Sequence, residues 1–78
     1  MWTKNEDHEK SFLTRLGENI TRIRKEKSLT QMQLSDRCDI EKSNLIRIEK
    51  GRTNPTSLTL LRISKALEIA IGTLFFGL

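Results

Sequence analysis

Between Lys42 and Arg52 four cations, Lys42, Arg47, Lys50 and Arg52, stand against a single carboxylate, Glu49. Ammonium and guanidinium groups gathered this closely suit the holding of anions, and the phosphate backbone of a nucleic acid is the anion such a footprint fits. The Arg47 guanidinium adds a planar fork of N–H donors that can take two acceptors at once. Thr53 and Asn54 follow as neutral donors. This is chemistry of recognition, with no step of bond breaking in view. The chain has one histidine, His8, and one cysteine, Cys38, with no glycine-rich phosphate loop and no clustered His, Cys and acidic ligands. No general base, activated nucleophile, metal site, cofactor or small-molecule site is therefore indicated, and an enzyme is not expected.

These residues need a rigid support, and the sequence supplies a helix from about Lys42 to Lys50, stopped by Gly51 in the left-handed conformation that glycine adopts cheaply. At about 100° per residue, Ser43, Ile46, Arg47 and Lys50 fall on the side opposite Leu45 and Ile48. One stripe faces an interior and the other faces solvent. A helix of this kind fits the major groove of DNA, where Arg47 could fork onto guanine and Ile46 could touch a thymine methyl. The alternative for Ile46 is a peripheral core contact.

A second short helix precedes it. Thr30 has the features of an N-cap, Gln33 stands at the reciprocal capping-box position, and Leu29 and Leu34 can form the staple. Leu34 and Cys38 point inward, Ser35 is small enough for close approach, and Cys38 reads as a small buried hydrophobe. Asp39-Ile40-Glu41 is a turn too short for anything but a steep crossing. Upstream, Phe12, Leu16, Ile20 and Ile23 give a helix from Ser11 to about Lys27-Ser28 an apolar face. Gly17 costs about 1 kcal/mol inside it, which a close-packed neighbour would explain.

Downstream, Arg52 to Pro55 forms a loop. Thr56 or Ser57 then caps a fourth helix that buries Leu60, Leu61, Ile63, Ala66 and Leu67, and Ile69 to Leu78 gives a short fifth. No alternation of the strand type appears. Met1 to Lys10 lacks an apolar period and reads as a flexible arm, with Trp2 either disordered or docked on the body or a partner subunit.

The 78 residues, 36% hydrophobic and 31% charged with a formal net charge of +4, suit one folded domain, spanning 11–78. A lone cysteine makes no intrachain disulfide, and the N-terminus lacks the order of a secretory signal, so the cytoplasm is the expected compartment. The apolar run from Ile69 to Leu78 is about half the length of a membrane span. It belongs to a core or an interface.

Taken together, Ile20 and Ile23-Arg24, Leu29-Thr30-Gln31 with Leu34, Leu45 with Ile48-Glu49-Lys50-Gly51, Asn54-Pro55, Leu60-Leu61, Ala66-Leu67, Ile69 and Leu74 resemble the XRE-type helix-turn-helix domains. These are the regulators typified by the lambda and 434 repressors and Cro, and stand-alone members include the controller proteins of restriction-modification systems. The resemblance implies an all-α, compact five-helix lambda-repressor-like DNA-binding domain. It places Lys42, Ser43, Ile46 and Arg47 on base edges, and Gln31, Asn44, Lys50, Arg52, Thr53 and Asn54 on phosphates. It also implies a structural ion pair between Arg24 and Glu49. Asp39 departs from the family's usual turn glycine, Ser35 from its alanine, and Ala70 from the capping serine or threonine before the last helix.

The reading is thus a sequence-specific transcriptional regulator that binds double-stranded DNA as a homodimer on a two-fold operator. Ile69, Ile71, Leu74, Phe75, Phe76 and Leu78 form the expected dimer interface, the alternative being that they plug the monomer's own core. The rival function is a helical protein-interaction module, or antitoxin-type partner-binding protein, without specific DNA binding. Groove-facing charge would then be dispensable.

Overall fold

The computed structural model describes residues 6–78, and four α-helices carry the chain: α1 (Glu6–Glu26), α2 (Gln31–Cys38), α3 (Lys42–Glu49) and α4 (Ser57–Ala66). A 3₁₀ turn over Ile71–Phe75 closes it. The expected fifth helix is therefore this tighter turn, and the fold is four α-helices plus a 3₁₀ element. Ala70 precedes it with no side chain to cap it, and two glycines, Gly72 and Gly77, lie in or beside it. A sustained α-helix has little to start from there.

The first helix starts earlier than the sequence predicts. Residues 6–10, expected within a flexible arm, are helical, whereas Met1 to Asn5, Trp2 among them, lie outside the described residues. Extending a formed helix adds a hydrogen bond per residue without a new nucleus, and carboxylates such as Asp7 and Glu9 suit its positive end. Phe12 rewards the extension by stacking on Phe75, ring centroids 6.3 Å apart, though it stays 41% exposed and outside the core where its spacing had put it.

Four helix ends close in the same way. Ser28, Asp39, Gly51 and Glu68 all take positive φ, 58°, 57°, 71° and 59°. In each case the next residue donates its N–H to a carbonyl five positions back: Leu29 to Arg24, Ile40 to Ser35, Arg52 to Arg47 and Ile69 to Ser64, at 2.9–3.1 Å. This is the 6→1 closure that satisfies the last carbonyls of a helix. In three of the four, an apolar residue that follows turns back toward the core.

That core gathers Leu16, Ile20 and Ile23 of α1, Leu29, Leu34 and Cys38 around α2, and Leu45 and Ile48 of α3, with Leu60, Ile63, Leu67 and Leu74 beneath. Leu61, expected inside, is 38% exposed, and the small Ser64 occupies the buried side of α4 instead, bonding the Leu61 carbonyl at 2.8 Å. Burial holds Cys38 as a thiol by pushing its pKa from 9.0 up to about 11. Among the described residues no helix is long and apolar enough to cross a membrane.

Candidate nucleic-acid interface

Helix α2 begins on a complete capping box: the Gln33 N–H donates to Thr30 Oγ1 at 3.0 Å, and the Thr30 N–H donates to Gln33 Oε1 at 2.8 Å. Eight residues later Asp39 reverses the chain at φ 57°, ψ 45°. An aspartate reaches this region at less cost than most L-residues, so the turn forms here without a glycine. Glu41 then starts α3 with no side-chain cap. The first backbone N–H groups of α3 are left without side-chain partners at the end that faces outward.

The two sides of α3 are sharply divided. Leu45 is 0% and Ile48 2% exposed, whereas Lys42, Ser43, Arg47 and Lys50 are all open to solvent. Ile46 and Asn44 sit between these extremes, half-buried at the edges of the helix. Past Gly51, Arg52 and Asn54 are exposed and Thr53 is half-buried. Of the stripe inferred from helical period, Ser43, Arg47 and Lys50 are exposed and Ile46 is half-buried.

Helix α1 clamps the C-terminal end of α3. A Cβ on Gly17 would lie 2.5 Å from the carbonyl oxygens of Ile48 and Glu49, so only glycine lets the two backbones meet there. Arg24 completes the clamp. Its Nε donates to Glu49 Oε2 at 2.7 Å, its Nη2 to Oε1 at 3.1 Å, and its Nη1 to the Leu29 carbonyl at 2.8 Å. Both side chains are buried, and the bidentate geometry is the strong form of such a pair.

Gln31 joins this network, a link that the sequence reading missed. Its Nε2 donates to Glu49 Oε1 at 2.9 Å, so the amide read as a phosphate contact already spends one N–H inside the protein. An amide nitrogen carries two. The missed signal is the register itself, which sets the first residue of α2 beside the acid that ends α3.

The C-terminal residues divide. Leu74 is 0% exposed and belongs to the monomer's core, which removes it from the expected dimer interface, and Ile69 and Phe75 pack partly against that core. Ile71, Phe76 and Leu78 remain exposed at 38%, 79% and 39%. Asn19 and Arg15 of α1 fix this segment: Asn19 Nδ2 donates to the Leu74 and Phe76 carbonyls at 2.9 and 3.0 Å, and Arg15 Nη2 to that of Gly77 at 2.9 Å.

Two short helices joined by a tight turn, the second anchored on one side and charged on the other, define a helix-turn-helix. The helix-turn-helix domain family matches residues 17–77, and the chain belongs to that family. It is 39% identical over 59 residues to the immunity repressor protein of Bacillus phage phi105, covering 76% of this chain and 41% of that protein. With the regulator SinR of Bacillus subtilis it shares 33% identity over 60 residues, 76% of this chain and 54% of the relative. The chain thus spans about half or less of both relatives. Among solved structures, the restriction-modification controller protein C.AhdI from Aeromonas hydrophila superposes with a TM-score of 0.83 at 26% identity, covering 83% of this chain and 98% of that one. The wild-type controller protein C.Esp1396I gives 0.76 at 30% identity, covering 82% and 83%.

Proposed function

We propose that this chain is a sequence-specific DNA-binding transcriptional regulator of the cytoplasm, which docks α3 in the major groove and acts as a homodimer on a two-fold operator. The observation that carries the reading is the division of α3: Leu45 and Ile48 are locked inside while Lys42, Ser43 and Arg47 stand in solvent. A helix fixed on one side and free on the other presents its side chains to base edges in a constant pose. Lys42, Ser43, Ile46 and Arg47 read bases in this proposal. Asn44, Lys50, Arg52, Thr53 and Asn54 hold phosphates, as does Gln31 through its second amide N–H.

One such helix spans only a few base pairs, and a second copy about 34 Å away multiplies specificity. The exposed Ile71, Phe76 and Leu78, flanked by Ile69 and Phe75, are the surface proposed to meet that copy. Selection of bound sites from random duplexes tests the proposal, and a two-fold symmetric motif is the supporting result. In a mobility-shift titration, Arg47→Ala loses about 1–3 kcal/mol of discrimination at one base position if its fork holds guanine. Phe76→Ser weakens dimerisation and leaves folding intact. Binding that ignores sequence and survives Arg47→Ala with Lys42→Ala would favour a protein-interaction module instead.

A further inference from the structure

The expected phosphate contacts stop at the loop after α3, but the basic surface does not. Lys50 and Arg52 share an open groove with Lys10, Ser11, Thr14 and Arg15, all from the first turns of α1. Gly51 forms its floor: at φ 71° it lies so close to α1 that a Cβ there would come within 2.6 Å of the Thr14 Cα. The contact that seats α1 on the end of α3 therefore also brings the two sets of cations together.

We propose that this groove is a second phosphate-binding surface, in which Lys10, with the hydroxyls of Ser11 and Thr14, takes a DNA phosphodiester beyond those held by Lys50 and Arg52. It rests on the reading of α3 as a duplex-binding helix. Three features support it. Lys10, Lys50 and Arg52 are exposed and form no ion pair among the described residues, while Arg15 spends one nitrogen on the Gly77 carbonyl. Four cations around one hollow, with Asp7 as the sole carboxylate among the described residues lining it, give it a positive potential that favours an anion. The hydroxyls add neutral donors of the kind that commonly hold phosphate oxygens.

A phosphodiester is the occupant because the groove continues the charged edge of α3. A backbone strand leaving Lys50 and Arg52 meets α1 next. The helical start of α1 at Glu6 is what places Lys10 there, since a flexible arm would pay ordering entropy for the same contact.

The test compares wild type, Lys10→Ala and a control, Lys65→Ala on the exposed side of α4, binding a selected duplex across a salt series. Circular dichroism confirms that each is folded. Each lost phosphate contact lowers the slope of log K against log salt by about 0.9 on B-DNA. Lys10→Ala is expected to show that drop for each bound protomer with base preference unchanged, and Lys65→Ala to match wild type. Added at constant ionic strength, inorganic phosphate should not reduce wild-type binding to the Lys10→Ala level; if it does, the groove is a small-anion site and the proposal fails. An unchanged slope in Lys10→Ala overturns the groove alone. A wild type that binds no duplex overturns the reading of α3 and the groove with it.

Discussion

Glu49→Ala is the sharpest test of how α3 is held. The substitution removes the carboxylate that accepts from Arg24 Nε, Arg24 Nη2 and Gln31 Nε2, at 2.7, 3.1 and 2.9 Å. Arg24 is only 7% exposed, and its one remaining partner is the Leu29 carbonyl. Leaving one member of a buried pair unmatched costs about 3–5 kcal/mol. A chain of 78 residues has roughly 4–12 kcal/mol of total stability. The single variant should therefore lose a quarter of its stability at the least, and be largely unfolded if the wild type lies near the lower figure. The double variant Arg24→Met with Glu49→Leu removes both charges, and such exchanges are often neutral or stabilising by about 1–4 kcal/mol. Urea denaturation followed by circular dichroism measures both. A loss below about 1 kcal/mol in Glu49→Ala, or a double variant no better than the single, refutes the account. The double variant carries a further expectation: its fold recovers but operator affinity does not, because Gln31 has lost the acceptor that orients its amide.

Gly17→Ala gains about 1 kcal/mol of helix propensity, yet its methyl would meet the Ile48 and Glu49 carbonyls at 2.5 Å; denaturant titration should show a net loss of roughly 1–3 kcal/mol. Glu68→Gly should do the opposite, because a left-handed glutamate at φ 59° costs about 1–2 kcal/mol and the freer unfolded chain takes back only about 0.4–1. A higher melting temperature checks it, with a smaller gain for Asp39→Gly since aspartate visits this region more readily. The Cys38 thiol, raised from 9.0 to about 11 by burial, binds its proton more tightly folded than unfolded. The stability this contributes is whole below pH 9 and drains away as pH climbs toward 11. Wild type should lose stability relative to Cys38→Ala across that window, and a constant difference between the two would refute the assignment.

What the sequence revealed divides along the range of the forces involved. Thr30 and Gln33 cap each other three residues apart, so the start of α2 was readable from local chemistry. The two faces of α3 followed from period alone, and the cost of Gly17 pointed to a close neighbour before that neighbour was known. The start of α1 was not readable, because its reward is Phe12 on Phe75, 63 positions away. Nor was the form of the C-terminal segment: its apolar run has no helical period, and its shape rests on carbonyls taken by Asn19 and Arg15. Leu61 is exposed and Ser64 buried because, at about 100° per residue, Ser64 falls about 60° nearer than Leu61 to the stripe of Leu60, Ile63 and Leu67, so that angle outweighs apolar character there. The amide of Gln31 was read as outward from resemblance, and only the assembled fold shows the Glu49 carboxylate waiting beside it.

A helix of eight residues is about 12 Å long and too short to persist alone in water, so the pose of α3 is set by what grips it. The grip is concentrated at one end. Gly17 admits α1 onto the Ile48 and Glu49 carbonyls, Gly51 lies against Thr14, and Arg24 holds the Glu49 side chain. The opposite end starts on Glu41 without a side-chain cap and carries Lys42 and Ser43 into solvent. A tethered rod probes best with its free end. A base-reading site has to hold its geometry within about half an ångström, and clamping the far end while leaving the first turn polar and open meets that demand without a long helix. The glycines and the buried charges are therefore parts of one device: they hold α3 at a fixed angle, and the exposed cations at its two ends act from the position that the hold defines.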